Sequence, residues 1–218
     1  MWNGMKRREF LQSSTLAALS AGAAALGSGC FISRLGRNEP QAMTVRGAIA
    51  ADQMGATLPH EHVLLDFIGA DQISRDRYNQ DVVFEAVVPH VQQAKDLGCD
   101  TLVECTPKWI GRDVILLRRL ARATGLQILT NTGYYGAGRN KFLPRHTFTD
   151  SILELSGRWI AEWEDGIDET GIRPGFIKIG VDPGRLSDIH RKLIRAAART
   201  HLHTGLTIAG HTGDGVAA

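Results

Sequence analysis

The sequence lacks the features that identify a disulfide-stabilised, membrane-spanning or nucleic-acid-binding protein. Three cysteines in 218 residues are too few for a disulfide framework. The formal net charge is only +2, and no block of like charges occurs, so nucleic acid is not indicated as a partner. No apolar run reaches the ~20 residues that a membrane-spanning helix needs. The chain has 43% hydrophobic and 22% charged residues, which is typical of a globular protein.

Residues 1–30 have the composition of a targeting segment. Basic residues at positions 6–8 precede an Ala-rich apolar run from Ser13 to Leu26 and then small residues. This order is typical of a secretory signal, with an amphipathic surface helix as the alternative. The pair Arg7-Arg8 followed by Phe-Leu resembles a twin-arginine signal. We therefore expect export of the folded protein to the periplasm.

The three cysteines have different expected roles. Cys30 follows Leu26-Gly27-Ser28-Gly29, which resembles a bacterial lipobox with its large apolar residue one place too early. Lipid attachment at Cys30 is thus an alternative form of the exported protein. Cys99 and Cys105 lie before and at the end of one predicted strand, and we expect both to be buried thiols.

Short apolar segments alternate with helical patterns along the rest of the chain. Residues 31–42 are polar and irregular and predict a linker, so the folded domain is expected over residues 43–218. The expected strands are 43–50 and 51–57 around a turn, then 58–63, 101–105, 127–131, 175–180 and 206–210; the expected helices are 81–97, 113–124, 150–164 and 187–203. This alternation predicts right-handed βαβ units and a parallel sheet. Five such units fit a doubly wound sheet or part of an eight-stranded barrel.

The first predicted helix has an unusual interior. Asp81 is expected to cap it, and Pro89 predicts a kink or a break. Its apolar stripe comprises Val83, Val87, Val91, Ala94 and Leu97. We expect this stripe to face the core, with Gly98 stopping the helix.

Two histidines alternate in a short apolar segment. His60 and His62 would leave the same face of a strand, while Glu61 points the other way. Two converging imidazoles are a suitable ligand pair for a borderline metal such as zinc. The alternative is a partly buried strand with two hydrogen-bonded histidines.

Two later strands carry single candidate residues. Lys178 lies between Ile177 and Ile179, where an ammonium is costly to bury unless it is paired or neutralised. It either reaches the surface or is a neutral amine that reacts with carbon dioxide to form an anionic carbamate ligand. His211 ends the next strand, where it is either a metal ligand or a simple cap.

The order of these residues resembles the phosphotriesterase family of the amidohydrolase superfamily. The matching stretches are 55–62 (GATLPHEH), 110–114 (IGRDV), 131–135 (NTGYY), 170–178 (TGIRPGFIK), 196–199 (AAAR) and 211–212 (HT). The resemblance covers about residues 43–218. It implies an α/β fold, namely a partial TIM (β/α)8 barrel with about five of eight βα units and an N-terminal β-hairpin.

The resemblance also implies roles for individual residues. His60 and His62 match the pair on the more buried of two divalent ions, most simply zinc, and Lys178 matches the CO2-derived carbamate that bridges them. His211 matches the first histidine on the more exposed ion. Such a centre would use a metal-bridging hydroxide to attack a phosphotriester, lactone or carboxylic ester. Tyr134 and Tyr135 fall where the family has an aromatic pocket wall, although ordinary packing at a barrel rim is the alternative.

The family pattern continues beyond the sequence. It includes a histidine on a sixth strand and an aspartate on an eighth, and a closed barrel usually needs about 250 residues. We therefore expect a C-terminally truncated hydrolase, whose full-length parent could be a homodimer. The alternative is an inactive fragment or an exported non-catalytic binding protein.

A nucleotide-binding module is a third interpretation. It would need a glycine-rich loop directly between a strand and a helix. The nearest candidate is residues 133–138 (GYYGAG), and no helix is predicted promptly after it. The sequence therefore favours the hydrolase interpretation.

Overall fold

The computed structural model describes residues 40–213. The predicted signal segment, Cys30 and most of the predicted linker lie outside the described residues. The first strand begins at Gln41, two residues before the expected start of the domain. None of the helices within residues 40–213 is long and apolar enough to cross a membrane.

The described residues form eight strands and five α-helices. The strands are β1 (Gln41–Thr44), β2 (Gly47–Ala50), β3 (Thr57–Glu61), β4 (Thr101–Glu104), β5 (Gln127–Leu129), β6 (Asn131–Thr132), β7 (Phe176–Gly180) and β8 (Thr207–His211). The helices are α1 (Gln80–Asp96), α2 (Val114–Thr124), α3 (His146–Thr149), α4 (Ile152–Glu164) and α5 (Asp188–Thr204). Single 3-10 turns occupy Ala51–Met54, Arg75–Arg77, Lys108–Ile110 and Ile167–Glu169.

The strands from β3 onward are parallel and neighbour one another in sequence order. One sheet has the order β3-β4-β5 and the other has the order β6-β7-β8. The single strand expected at 127–131 is divided because β5 pairs with β4 and β6 pairs with β7. Only Thr130 separates them, and its carbonyl accepts a hydrogen bond from Gly175 N at 2.7 Å. The α/β class and parallel sheets are confirmed, and the strands of residues 40–213 do not close into a barrel.

A hairpin forms, but its turn lies at residues 45–46, inside the segment 43–50 expected as its first strand, so the predicted turn near residue 50 is wrong. β1 and β2 pair antiparallel, with Thr44 opposite Gly47. Gly47 has φ +121°, a conformation that favours glycine and permits the tight turn. Residues 51–54, expected as strand, are a 3-10 turn instead. The hairpin joins the parallel sheet through Val45 N, which donates to Ile128 O at 2.8 Å.

The helices begin and end largely where their capping residues predict. Asp113 caps α2 by accepting from the amides of Ile115 and Leu116, and Gly125 ends it in the left-handed conformation. The third and fourth predicted helices, expected to begin at Asp150 and Ser187, are capped by Ser151 and Ser187.

The first helix differs from its prediction in three respects. Its cap is Asn79, whose side chain accepts from the amides of Asp81 and Val82, so the assignment of Asp81 as the cap is wrong. Pro89 lies within a continuous helix and does not break it. Leu97 is 83% exposed, because the helix ends at Asp96 and the stripe no longer faces the core there.

Side chains of the parallel strands pack on two faces. Alternate residues such as Ile128, Ile177 and Ile179 pack against the helices. The other face carries a smaller cluster formed by Cys105, Leu129 and Phe176. Both Cys99 and Cys105 are buried free thiols, as expected.

Candidate metal centre

Lys178 lies in the middle of β7, on the same face of the strand as Phe176. It is only 3% exposed, so it does not reach solvent. Its Nζ lies 3.3 Å from His60 Nε2, and no carboxylate within residues 40–213 forms an ion pair with it. Burial lowers the pKa of Lys178. A buried amine without an acidic partner therefore faces an imidazole.

His60 and His62 lie together at the end of β3. Their ring centroids are 5.2 Å apart with an interplanar angle of 58°. Burial lowers both pKa values, with a further decrease from the charge of Lys178 on His60 and from His60 and Lys178 on His62. Both imidazoles consequently favour the neutral form, which is the form that binds metals.

His211 reaches the same place from β8. It is the last residue of that strand and is in register with Gly180 of β7. Burial, followed by the charges of Lys178 and His60, lowers its pKa. The parallel pairing of β7 and β8 thus brings His211 into electrostatic contact with residues on two other strands.

The two predicted pocket tyrosines lie in different environments. Tyr135 has its ring centroid 5.1 Å from that of His211. Tyr134 is 5% exposed, packs in the helix-side cluster with Trp159, and lies 3.0 Å from His146 Nε2 through its hydroxyl. The structure therefore places Tyr135, and not Tyr134, beside the candidate ligands.

A buried carboxylate lies behind His62. Glu104 is 1% exposed and accepts hydrogen bonds from the amides of Val63 and Thr106, each at 3.2 Å. The Thr106 hydroxyl also bonds Glu104 Oε1, and it lies 3.0 Å from His62 Nδ1. Burial raises the pKa of Glu104 to about 7. No motif singles out Glu104 or Thr106 in the sequence; the polar end of the strand at Glu104-Cys105-Thr106 is the available signal.

The side chains present fit a divalent metal in their chemistry. Three imidazoles of lowered pKa are donors of the type that zinc accepts, whereas the amine of Lys178 would offer oxygen donors only as a carbamate. Among residues 40–213, however, no three His, Cys, Asp or Glu side chains are close enough together to form a metal-binding group. The four candidates form a cluster, and ligation would require the imidazoles to move closer.

The chain is similar in sequence to proteins of one family. The phosphotriesterase family matches residues 40–218. A phosphotriesterase homology protein of Escherichia coli is 33% identical over 165 residues, which cover 74% of this chain and 53% of that protein. An aryldialkylphosphatase of Saccharolobus solfataricus is 32% identical over 168 residues, which cover 77% and 52% of the two chains. The chain thus spans about half the length of the curated relatives it matches.

Solved structures are similar over about four fifths of the chain. The organophosphorus hydrolase of Deinococcus radiodurans superposes with a TM-score of 0.69 at 34% identity, covering 80% of this chain and 54% of that one. A mutant lactonase from the same organism superposes with a TM-score of 0.70 and similar coverage. Both comparisons therefore identify phosphotriesterase-like proteins as similar to this chain.

Proposed function

The chain belongs to the phosphotriesterase family, and on that premise we propose that it carries part of the metal site of a hydrolase. Its substrates would be small molecules of the phosphotriester, lactone or carboxylic ester type, because an aryldialkylphosphatase, lactonases and organophosphorus hydrolases are among its relatives. The observation that carries the proposal is the buried amine of Lys178, 3.3 Å from His60 Nε2.

Four residues would hold the metal. His60 and His62 would hold one ion, His211 would help to hold a second, and Lys178 would supply donors as a carbamate. Divalent ions bound there would supply a water of lowered pKa and polarise the oxygen of the scissile group. Lys178 would contribute to this site only after its amine is converted to an anionic carbamate.

Lys178 is suited to carbamate formation. Its low exposure and lowered pKa favour the neutral amine, whose nitrogen lone pair forms a bond to the carbon of CO2. The nitrogen releases one proton, and the product is a carbamate anion with two oxygen donors. The inner position of β7 keeps water away from the amine. His60, whose Nε2 lies 3.3 Å from the amine, would lie beside the carbamate.

Tyr135 is proposed to form an aromatic wall of the substrate site. Its ring lies beside His211 and also contacts the ring of Phe142 at 6.0 Å between centroids. Burial raises the pKa of Tyr135, so its hydroxyl stays protonated at neutral pH. It can therefore donate a hydrogen bond to a substrate oxygen.

Three measurements on the full 218-residue chain test the proposal. After incubation with zinc and 13C-labelled bicarbonate, we expect retained zinc by mass spectrometry and a carbamate carbon resonance by NMR. Hydrolysis of a phosphotriester, a lactone and an aryl ester gives the activity. Lys178→Ala should lose the carbamate signal, most of the zinc and any turnover.

The matched control is Lys141→Ala, since Lys141 is an exposed lysine away from the four candidate ligands. It should retain zinc, carbamate and turnover at the wild-type level. A wild-type chain that folds but holds neither zinc nor carbamate would contradict the proposal. Zinc and carbamate without turnover would instead favour the non-catalytic alternative.

A further inference from the structure

The hydrogen bonds behind His62 have a defined direction. Glu104, when ionised, can only accept, and three protons point at it: the amide protons of Val63 and Thr106 and the Thr106 hydroxyl proton. Both carboxylate oxygens are used in this way. The Thr106 hydroxyl has a single proton, so it cannot also donate to His62. The 3.0 Å contact between Thr106 Oγ1 and His62 Nδ1 must then be a bond that His62 donates.

We infer that Glu104 and Thr106 are positioning residues that hold His62 in the Nδ1–H tautomer and leave its Nε2 lone pair free for a ligand. This inference rests on the proposed function, since it concerns how His62 is prepared for metal. A hydrogen bond at one ring nitrogen determines which nitrogen carries the proton and fixes the orientation of the ring.

The segment that carries these residues is also bonded to the first residue of β6. Asn131 Nδ2 donates to the carbonyls of Glu104 and Thr106 at 3.0 and 3.1 Å. The Asn131 carbonyl in turn accepts from Arg112 at 2.6 Å. Glu104, Thr106 and Asn131 are all almost completely buried. The Thr106 hydroxyl therefore has a fixed position, which is what a positioning role for an exposed histidine requires.

The charge of Glu104 supports the same direction. Burial raises its pKa to about 7, and its hydrogen bonds with Thr106 and Val63 favour the ionised form. Above that pH the carboxylate is an acceptor only, and the Thr106 proton points at it. A measurement at about pH 8.5 therefore examines the state in which His62 donates.

The test is the tautomer of His62, read from the two ring 15N chemical shifts of the metal-free full chain at about pH 8.5. We expect the wild-type protein to show a protonated Nδ1 and an unprotonated Nε2. Thr106→Val removes the acceptor and should shift His62 toward the Nε2–H form, while Thr106→Ser should restore the wild-type pattern. Glu104→Gln should weaken the preference, because it removes the charge that orients the hydroxyl.

Glu61→Gln is the matched control for loss of a nearby carboxylate. Glu61 lies between the two histidines and raises the pKa of His60 through its charge, but it makes no bond with Thr106. We expect this variant to keep the wild-type His62 tautomer. A wild-type protein in the Nε2–H form would overturn the inference without any variant. So would a Thr106→Val protein that unfolds cooperatively and keeps Nδ1–H.

Zinc affinity separates this inference from the proposed function. Loss of a hydrogen bond behind a histidine ligand typically weakens metal binding about 10- to 100-fold, and we expect that loss in Thr106→Val but not in Thr106→Ser. If the tautomers behave as expected and no variant binds zinc, the positioning is supported and the proposed function fails. If zinc binds equally to the wild type and Thr106→Val, the function stands and the positioning role is overturned.

Discussion

The inner strands and the edge strands of the described sheets provide different environments for similar residues. All five residues of β7 are buried, whereas four of the five residues of its neighbour β8 are exposed and the fifth is half-buried. Ile177 and Ile208 are direct register partners, yet their exposures are 0% and 38%. Both residues are isoleucines in paired parallel strands, so the difference in exposure comes from the groups that cover each strand.

The candidate ligands divide between the same two regions. Lys178 lies on inner strand β7, while His60, His62 and His211 lie at the ends of edge strands β3 and β8. The inner position removes water from the amine and lowers its pKa. The edge positions leave the imidazoles exposed and able to meet an ion. In the proposed site, the amine that would form the carbamate lies on an inner strand, and the imidazoles that would meet an ion lie at edge strands of the two parallel sheets.

The largest expected effect concerns the ion pair that supports the inner strands. The Arg112 side chain is fully buried and bonds both oxygens of Glu162, at 2.6 and 2.9 Å, besides the Asn131 carbonyl. Arg112→Ala would leave Glu162 without its main partner, and we expect a loss of about 3–5 kcal/mol in the free energy of unfolding, measured in urea. Arg191→Ala, which breaks an exposed pair with Asp188, should cost less than about 0.5 kcal/mol. Similar losses of unfolding free energy in both variants would contradict the distinction between the buried and the exposed ion pair.

The isoleucine pair tests the comparison most directly. Ile177→Ala removes a fully buried side chain that packs with Leu155, Leu193 and their neighbours, and should cost about 2–5 kcal/mol. Ile208→Ala makes the same chemical change at an edge and should cost less than about 1 kcal/mol. Urea unfolding of both variants gives the two values. If Ile208→Ala is as costly as Ile177→Ala, something covers β8 in solution.

Glu104 gives the inner region a characteristic pH dependence. Its folded-state pKa is raised from 4.5 to about 7, so its contribution to stability is fully present below about pH 4.5 and is lost as the pH rises through 7. Glu104→Gln stays neutral, and its stability relative to the wild type should therefore increase between pH 4.5 and 8. The expected increase is on the order of 3 kcal/mol. Urea titrations of both proteins across this range check the sign. A decrease in the stability of Glu104→Gln relative to the wild type would show that burial does not dominate the pKa of Glu104.

The smallest effect is expected at the edge histidine. Without metal, His211→Asn should change the free energy of unfolding by less than about 0.5 kcal/mol, because the side chain is exposed at the end of β8. Zinc should raise the thermal midpoint of the wild type more than that of the variant, because a ligand stabilises the state that binds it. Equal shifts with zinc would remove His211 from the proposed ligand set.

Local signals predicted some elements well and others poorly. Asp113 and Gly125 mark both ends of α2 because a side-chain cap and a left-handed glycine act within one turn of the chain. The start of α1 was misplaced because Asn79 and Asp81 are both good caps, and only the backbone around Asn79 decides between them. The division of the strand at Thr130 depends on pairing with two different neighbours, which a single segment does not encode.

The candidate site shows the same limit of prediction from local sequence signals. The spacing of His60 and His62, the apolar neighbours of Lys178 and the strand end at His211 left alternatives open, and the resemblance to the family named them as candidate ligands. Tyr135 and Tyr134 are adjacent in sequence, yet one lies beside His211 and the other packs among the helices. Adjacent residues in an extended segment point to opposite sides, and the tertiary contacts decide which side meets the cluster.

The sequence by itself determined the family through its matching motifs, and it determined the alternation of strands and helices and the residue types at each strand end, because these depend on patterns along the chain. Only the tertiary structure decided that Lys178 is buried, that its amine faces an imidazole 118 positions away, and that Glu104 and Thr106 stand behind His62. Burial, pKa and hydrogen-bond direction arise from groups distant in sequence. They exist only once the strands have paired.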